Sequence, residues 1–353
     1  MPVVTQKLLI NNILNIASER KATDVHLVAG SNPVLRVGGR IITLTEEQIL
    51  TPDIIANIAQ SFLNKDDMDR LSKEREVVTV YTWANRARFR AKVFYQKGYL
   101  AISFRLVPPY IRSPKDLGVP AAITQLLNAE RGIIFITGPF GSGRTSTAAS
   151  LIETLNQNKG LHIQTLEKPI EYLFANNQSI VEQREIGRDA VSFVKGMRDM
   201  LDEDIDVVLI GSLYEEGSEE MILELAESGK LVLVIMDANT AVSALERFVS
   251  NLPADKRDWG QDLLAEILLG VLAQRLLPRI GGGMSMASEV LTSTPAVKSS
   301  IADNKFHQLN SIIQTSRDEG MINLDKSLLE LTRVGEVSRE DARQHSIDAQ
   351  SFK

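Results

Sequence analysis

Apolar residues recur at helical spacing near the start of the chain, at Leu8, Leu9, Ile13, Leu14 and Ala17, and predict an amphipathic first helix. The pattern then shortens to alternating segments over residues 24–28, 34–37, 77–82, 87–95 and 100–106. Turn signals at Gly38-Gly39 and Lys97-Gly98 separate them, and residues 51–71 read as helical. Short alternating strands with a few helices describe an α+β domain over residues 1–106, a common domain size. Prolines 108, 109, 114 and 120 then predict an extended linker over 107–120, because proline fixes φ and lacks a donor. From residue 121 the pattern changes. Apolar runs at 133–137, 162–166, 206–210 and 231–235 alternate with helical stretches, which is how strands buried on both faces of a parallel sheet read. This predicts an α/β domain over 121–353. Its last part, from Leu263, reads as mostly helical and is broken by Gly281-Gly282-Gly283.

Composition narrows the class. A chain of 353 residues with 44% apolar residues can bury a sizeable core and suits two domains. The net charge of -6 gives no basic footprint, so no nucleic acid is expected as a partner. The alternation of Arg86, Arg88, Arg90 and Lys92 with Phe89 and Phe94 is explained by one strand with a polar face. Without cysteine there are no disulfides or thiolate metal sites. Residues 1–16 carry one positive side chain and no small-residue cleavage site, and no apolar run reaches membrane-spanning length. The expected location is cytoplasmic, with any membrane association peripheral, at the inner membrane.

The sharpest chemical signal runs from Ile133 to Thr147. A buried strand enters Gly138-Pro139-Phe140-Gly141-Ser142-Gly143-Arg144-Thr145-Ser146 and continues as a helix, the context that a phosphate-binding P-loop requires. Glycines 138, 141 and 143 let backbone N–H groups turn toward phosphate oxygens, with Ser142, Arg144, Thr145 and Ser146 around them. The following helix adds the positive end of its dipole. Thr145 supplies a hydroxyl where the motif needs a Mg2+ ligand. ATP or ADP with Mg2+ is therefore the expected ligand. Arg144 stands where the motif has lysine; it keeps the charge on a planar, bulkier group.

Beyond the loop, nearly the whole chain resembles the type IV pilus retraction (twitching motility) ATPases of the secretion ATPase superfamily. The segments that carry the resemblance include Ala22-Thr23-Asp24-Val25-His26-Leu27, Arg88-Phe89-Arg90 through Phe104-Arg105, Thr165 to Tyr172, Gln183-Arg184-Glu185, Asp206 to Ser212 and Ala273 to Pro278. The resemblance implies a PAS-like N-terminal domain before a RecA-like ATPase domain, a hexameric ring, and ATP hydrolysis coupled to pilus disassembly. It also implies that Arg90 and Arg105 reach nucleotide phosphates, where arginine stabilises developing charge.

Several positions depart from the family pattern. Glu167 and Glu171 are kept in the Asp box, but Lys168 replaces its aspartate. Ser212 occupies the place of the Walker B glutamate, and a serine hydroxyl is a poor base at neutral pH. Glu215 and Glu216 are nearby candidates to replace it, although the acidic run 215–220 reads first as a solvated helix face. Asp237 stands where the His box has histidine, and Asp202 where a second arginine follows Arg198. The altered positions cluster at chemistry while fold-supporting glycines and strands are kept. The expected function is a nucleotide-binding ring subunit with impaired hydrolysis, accessory or regulatory in pilus retraction. Its partners would be further copies, an active pilus ATPase in a mixed ring, or the inner-membrane platform protein. The alternatives are an active motor with a rearranged site, and a small-molecule P-loop kinase, for which no acceptor or lid motif is present.

Overall fold

A computed structural model describes residues 3–83, 87–108, 110–211 and 215–352, with backbone alone for residues 3–7. The chain forms two compact units, Met1–Tyr110 and Ile111–Lys353.

In the first unit, α1 (Val3–Glu19) buries Ile13, Leu14 and Ala17 of the predicted stripe together with Ile10, while Leu8 is exposed and Leu9 half-buried. The strands are β1 (Asp24–Val28), β2 (Val34–Val37), β3 (Arg40–Thr43), β4 (Glu76–Trp83), β5 (Ala87–Gln96) and β6 (Tyr99–Val107). They pair antiparallel throughout in the order β3-β2-β1-β6-β5-β4. Alternation places Val25, Leu27, Phe89, Ala91, Val93, Ile102 and Phe104 in one core with Ile55 and Ile58. The single helix predicted over 51–71 is two, α2 (Pro52–Gln60) and α3 (Lys65–Glu74). Thr51 caps the first, and the Asn64 side chain accepts the Asp67 N–H at 2.8 Å to start the second.

The second unit opens on α4 (Pro114–Leu117), a one-turn helix inside the stretch read as extended. The Ser113 hydroxyl accepts the Asp116 N–H, and Pro114 takes the first-turn position that it fits without loss. Then follow α5 (Ala121–Leu126), β7 (Gly132–Thr137), α6 (Arg144–Asn158), β8 (His162–Glu167), β9 (Ile180–Glu185), α7 (Phe193–Leu201), β10 (Val207–Ile210), α8 (Ser218–Glu227), β11 (Leu231–Met236), α9 (Ala241–Ser250), α10 (Arg257–Ile267), β12 (Leu268–Pro278) and β13 (Met284–Thr292). Helices α11 (Pro295–Ala302), α12 (Leu309–Thr315), α13 (Leu324–Arg333) and α14 (Arg339–His345) close the chain. The sheet order is β13-β12-β7-β11-β10-β8-β9, with only β13 antiparallel to its neighbour. Helices on both faces bury Ile133, Phe135, Val208 and Val234 on one side and Ile134, Ile136, Leu209 and Leu233 on the other.

The mostly helical reading from Leu263 onward is corrected here, since β12 and β13 form a long hairpin turned at Gly281-Gly282-Gly283. Both faces of β12 are covered, so its sequence lacks alternation, and a continuous apolar run does not separate strand from helix by period. Among the described residues, no helix is long and apolar enough to cross a membrane.

Candidate functional site

The C-terminal ends of β7, β8, β10 and β11 lie side by side, and the loops that follow them meet there. Strand β7 is buried over its whole length and delivers the chain to Gly138. A Cβ on Gly138 would lie 2.4 Å from the Gln274 carbonyl oxygen and 2.5 Å from Ser142 Oγ. Gly143, at φ 91°, would meet Leu276 Cδ1 at 3.0 Å. The loop therefore lies against β12, and Gln274 donates its side-chain N–H to the Ser142 carbonyl at 2.7 Å. Gln274 and Ser142 are both buried. Gln274 falls in the tail that the sequence reads as mostly helical; the strand makes it the brace of the loop.

Helix α6 starts at Arg144 with no side-chain cap on its first turn, which leaves backbone N–H groups facing the loop mouth. Thr145 and Ser146 are half-buried on that turn. Ser146 Oγ lies 2.7 Å from Tyr172 Oη, a contact that the sequence did not point to. The Arg144 side chain is 9% exposed and forms an ion pair with Asp237, just beyond β11. Two departures from the P-loop and His-box patterns thus touch each other. Arg247 donates to the Asp237 carbonyl oxygen at 2.8 Å, and Thr137 Oγ1 donates to the Ala238 carbonyl at 3.1 Å, so the Asp237 backbone is held from both sides.

Glu167 ends β8 and is buried. It accepts from Thr165 Oγ1 at 2.7 Å and from Gln183 Nε2 at 3.3 Å. Burial pushes its carboxyl up to about 7; the two hydrogen bonds pull the other way without offsetting that desolvation. Gly211, the last described residue of the Walker B segment, donates its N–H to the Leu166 carbonyl at 2.8 Å. A Cβ on Gly211 would lie 3.1 Å from Glu167 Cγ, so Glu167 abuts the end of that segment. Ser212 lies outside the described residues. Lys168, by contrast, is exposed.

The two nearby glutamates have different surroundings. Glu215 accepts the Phe193 N–H at 2.8 Å and so caps α7, while Glu216 is exposed. The solvated-face reading of the acidic run is corrected at Glu219, which is buried and accepts from Asn251 at 2.9 Å, and Glu220 pairs with Lys256. Glu215, Glu216 and Glu219 wall a cavity of about 360 Å³ with Asp237 and Arg247. A larger cavity of about 480 Å³ is walled by Glu246, Glu289, His307 and Asp325 and touches no residue of the glycine-rich loop.

Arg90 and Arg105 belong to the first unit, directly opposite each other on β5 and β6. Arg105 Nε also donates to Asp24 Oδ1 at 2.9 Å, in a row set by the β1–β6 register.

Residues 105–340 match the family described as Type II/IV secretion system protein. The chain is 32% identical over 345 residues to the type IV pilus retraction ATPase PilT of Pseudomonas aeruginosa, across 97% of this chain and 99% of that one. This chain is a member of the PilT-like pilus retraction ATPase family. It is also 29% identical to the type IV pilus ATPase PilU of Pseudomonas aeruginosa, over 97% of this chain and 89% of PilU. A crystal structure of the pilus retraction motor PilT with bound ADP superposes on this PilT-like chain with a TM-score of 0.83 at 36% identity, covering 97% and 98% of the two chains. The family assignment agrees with the parallel sheet of the second unit and the smaller antiparallel unit before it.

Proposed function

We propose that this PilT-like chain is a nucleotide-binding ring subunit of type IV pilus machinery that hydrolyses ATP poorly and acts as an accessory or regulatory partner of an active pilus ATPase. The observation that carries the reading is the contrast within one site. The phosphate cradle is intact: Gly138 and Gly143 are packed where a side chain does not fit, the α6 N–H groups are uncapped, and the Thr145 hydroxyl sits on the first turn. The groups that would act on a bound phosphate are redirected: Arg144 is paired with Asp237, and Glu215 caps a helix. Backbone N–H groups and a helix dipole bind phosphate without reference to a base, so affinity outlasts turnover.

The residues fit ATP or ADP. The Thr145 hydroxyl is the group that would meet a Mg2+ ion carried by the phosphates, and Mg2+ in such sites takes few protein ligands. The solved PilT with bound ADP supports a nucleotide of this class. Within the same family, the motor reading draws support from one observation: Glu167 is buried, adjoins Gly211 and has its carboxyl pushed up to about 7, where its carboxylate can take up a proton at neutral pH as a general base does.

The accessory role is tested by mixing the tagged chain with an active PilT-type ATPase and separating the species by size with ATP present. The expected result is one ring-sized species that contains both chains and whose turnover differs from that of the active chain alone. Separate elution with unchanged turnover would overturn the accessory role.

A further inference from the structure

We propose that Asp237 is a positioning residue for Arg144: it holds the guanidinium in an internal ion pair, and a nucleotide phosphate must compete with the Asp237 carboxylate for it. The inference rests on the glycine-rich loop being the nucleotide site.

Arg144 is the first residue of α6 and is 8% exposed. A buried guanidinium needs a counter-ion, because removing it from water without one carries a heavy desolvation penalty. Asp237 supplies that counter-ion. Its place is fixed by the sheet: β11 runs beside β7 with Met236 opposite Thr137, so Asp237 emerges next to the start of the loop. The hydrogen bonds from Arg247 to the Asp237 carbonyl and from Thr137 to the Ala238 carbonyl keep the backbone there.

The chemistry of the two side chains suits this arrangement. A guanidinium is a flat fork of donors that matches a carboxylate as well as a phosphate, whereas a lysine ammonium is a compact point charge. Arginine at position 144 and aspartate at position 237 therefore form one unit. The pair is neutral, so the positive charge that the loop would offer to phosphate is offset before any ligand arrives. An approaching triphosphate meets the Asp237 carboxylate as a second anion competing for the same donors.

The test uses Asp237→Asn in the full chain, which keeps the shape and removes the charge. Binding of ATP and of inorganic tripolyphosphate is measured by titration calorimetry at fixed ionic strength, beside a thermal melt. The variant is expected to bind both about tenfold more tightly, the scale of one charge-assisted hydrogen bond released to the ligand. Glu266→Gln, the same charge change at an exposed position on α10, is expected to leave affinity unchanged. In an Arg144→Met background, Asp237→Asn is expected to give no gain. A purely structural role for Asp237 would lower melting temperature and affinity together and would not produce tighter binding.

Equal or weaker binding by Asp237→Asn, with the wild type binding normally, overturns the proposal and leaves the nucleotide site standing. A gain that persists with Arg144→Met also overturns it, since removal of a local negative charge then explains the effect. No binding by wild type or by either variant overturns the nucleotide site itself, and the proposal with it. Binding by Asp237→Asn alone supports the proposal in its strongest form.

Discussion

Gly138→Ala is expected to lower the stability of the second unit by about 3 kcal/mol and to abolish nucleotide binding. The added methyl would sit 2.4 Å from the Gln274 carbonyl oxygen and 2.5 Å from Ser142 Oγ. Ser142 can turn its hydroxyl away, but the carbonyl belongs to β12, whose neighbour Ala273 is paired with Thr137 of β7. Backing off would pull apart two strands in the buried middle of the sheet. It would also stretch the Gln274–Ser142 hydrogen bond that holds the loop. Gly141→Ala is the matched control. Its Cβ meets nothing within 4 Å, so only its φ of 81° opposes the change, at about 1 kcal/mol. Urea unfolding of both variants, with a fluorescent ATP analogue titrated into each, reads the difference. Equal losses at the two positions would refute the packing of Gly138 against β12.

Glu167→Gln is expected to raise stability at pH 8 by about 2–3 kcal/mol and to leave it unchanged near pH 4. Burial raises the Glu167 carboxyl from 4.5 to about 7, so the folded state holds a proton that the unfolded chain has released. The stabilising contribution of that proton is complete below pH 4.5 and is lost as pH rises through about 7. Above that, the folded chain carries a buried carboxylate held, among the described residues, by Thr165 and Gln183, with Glu171 and Glu185 adding repulsion. Glutamine keeps an acceptor for Thr165 and never ionises. Unfolding free energies at pH 4, 6 and 8 should therefore diverge progressively between the two proteins. Parallel curves, or a variant less stable at pH 8, would contradict this account of Glu167.

Much of this arrangement was legible in the chain. The four apolar runs are the inner strands β7, β8, β10 and β11, because burial on both faces leaves few polar positions. The glycine spacing placed the loop between β7 and α6. What escaped was non-local. The strand β9, with Gln183-Arg184-Glu185, reads as a polar stretch because it is an edge strand with few buried positions. The hairpin β12–β13 hid behind a continuous apolar run, and Gln274 with it. Arg144 and Asp237 were each visible as departures, 93 positions apart, but only the β7–β11 register makes them neighbours. Glu219 looked solvated until α8 turned it toward Asn251.

That register also changes how the altered positions count. Taken singly, an arginine in place of lysine and an aspartate in place of histidine are two losses. Taken as a pair, they are one self-neutralising interaction that leaves the cradle of glycines and uncapped N–H groups in place. Residues acting as a unit do not contribute additively, so the number of departures is a poor guide to the size of the defect.

The measurement that bears most directly on the central claim is equilibrium binding of ATP with magnesium, read beside phosphate release from the same wild-type sample. Saturable binding with release at the level of the uncatalysed background is the predicted result. Steady release at the rate of an active PilT-type ATPase, abolished by Arg144→Ala, would contradict it and return the chain to the working motors of its family.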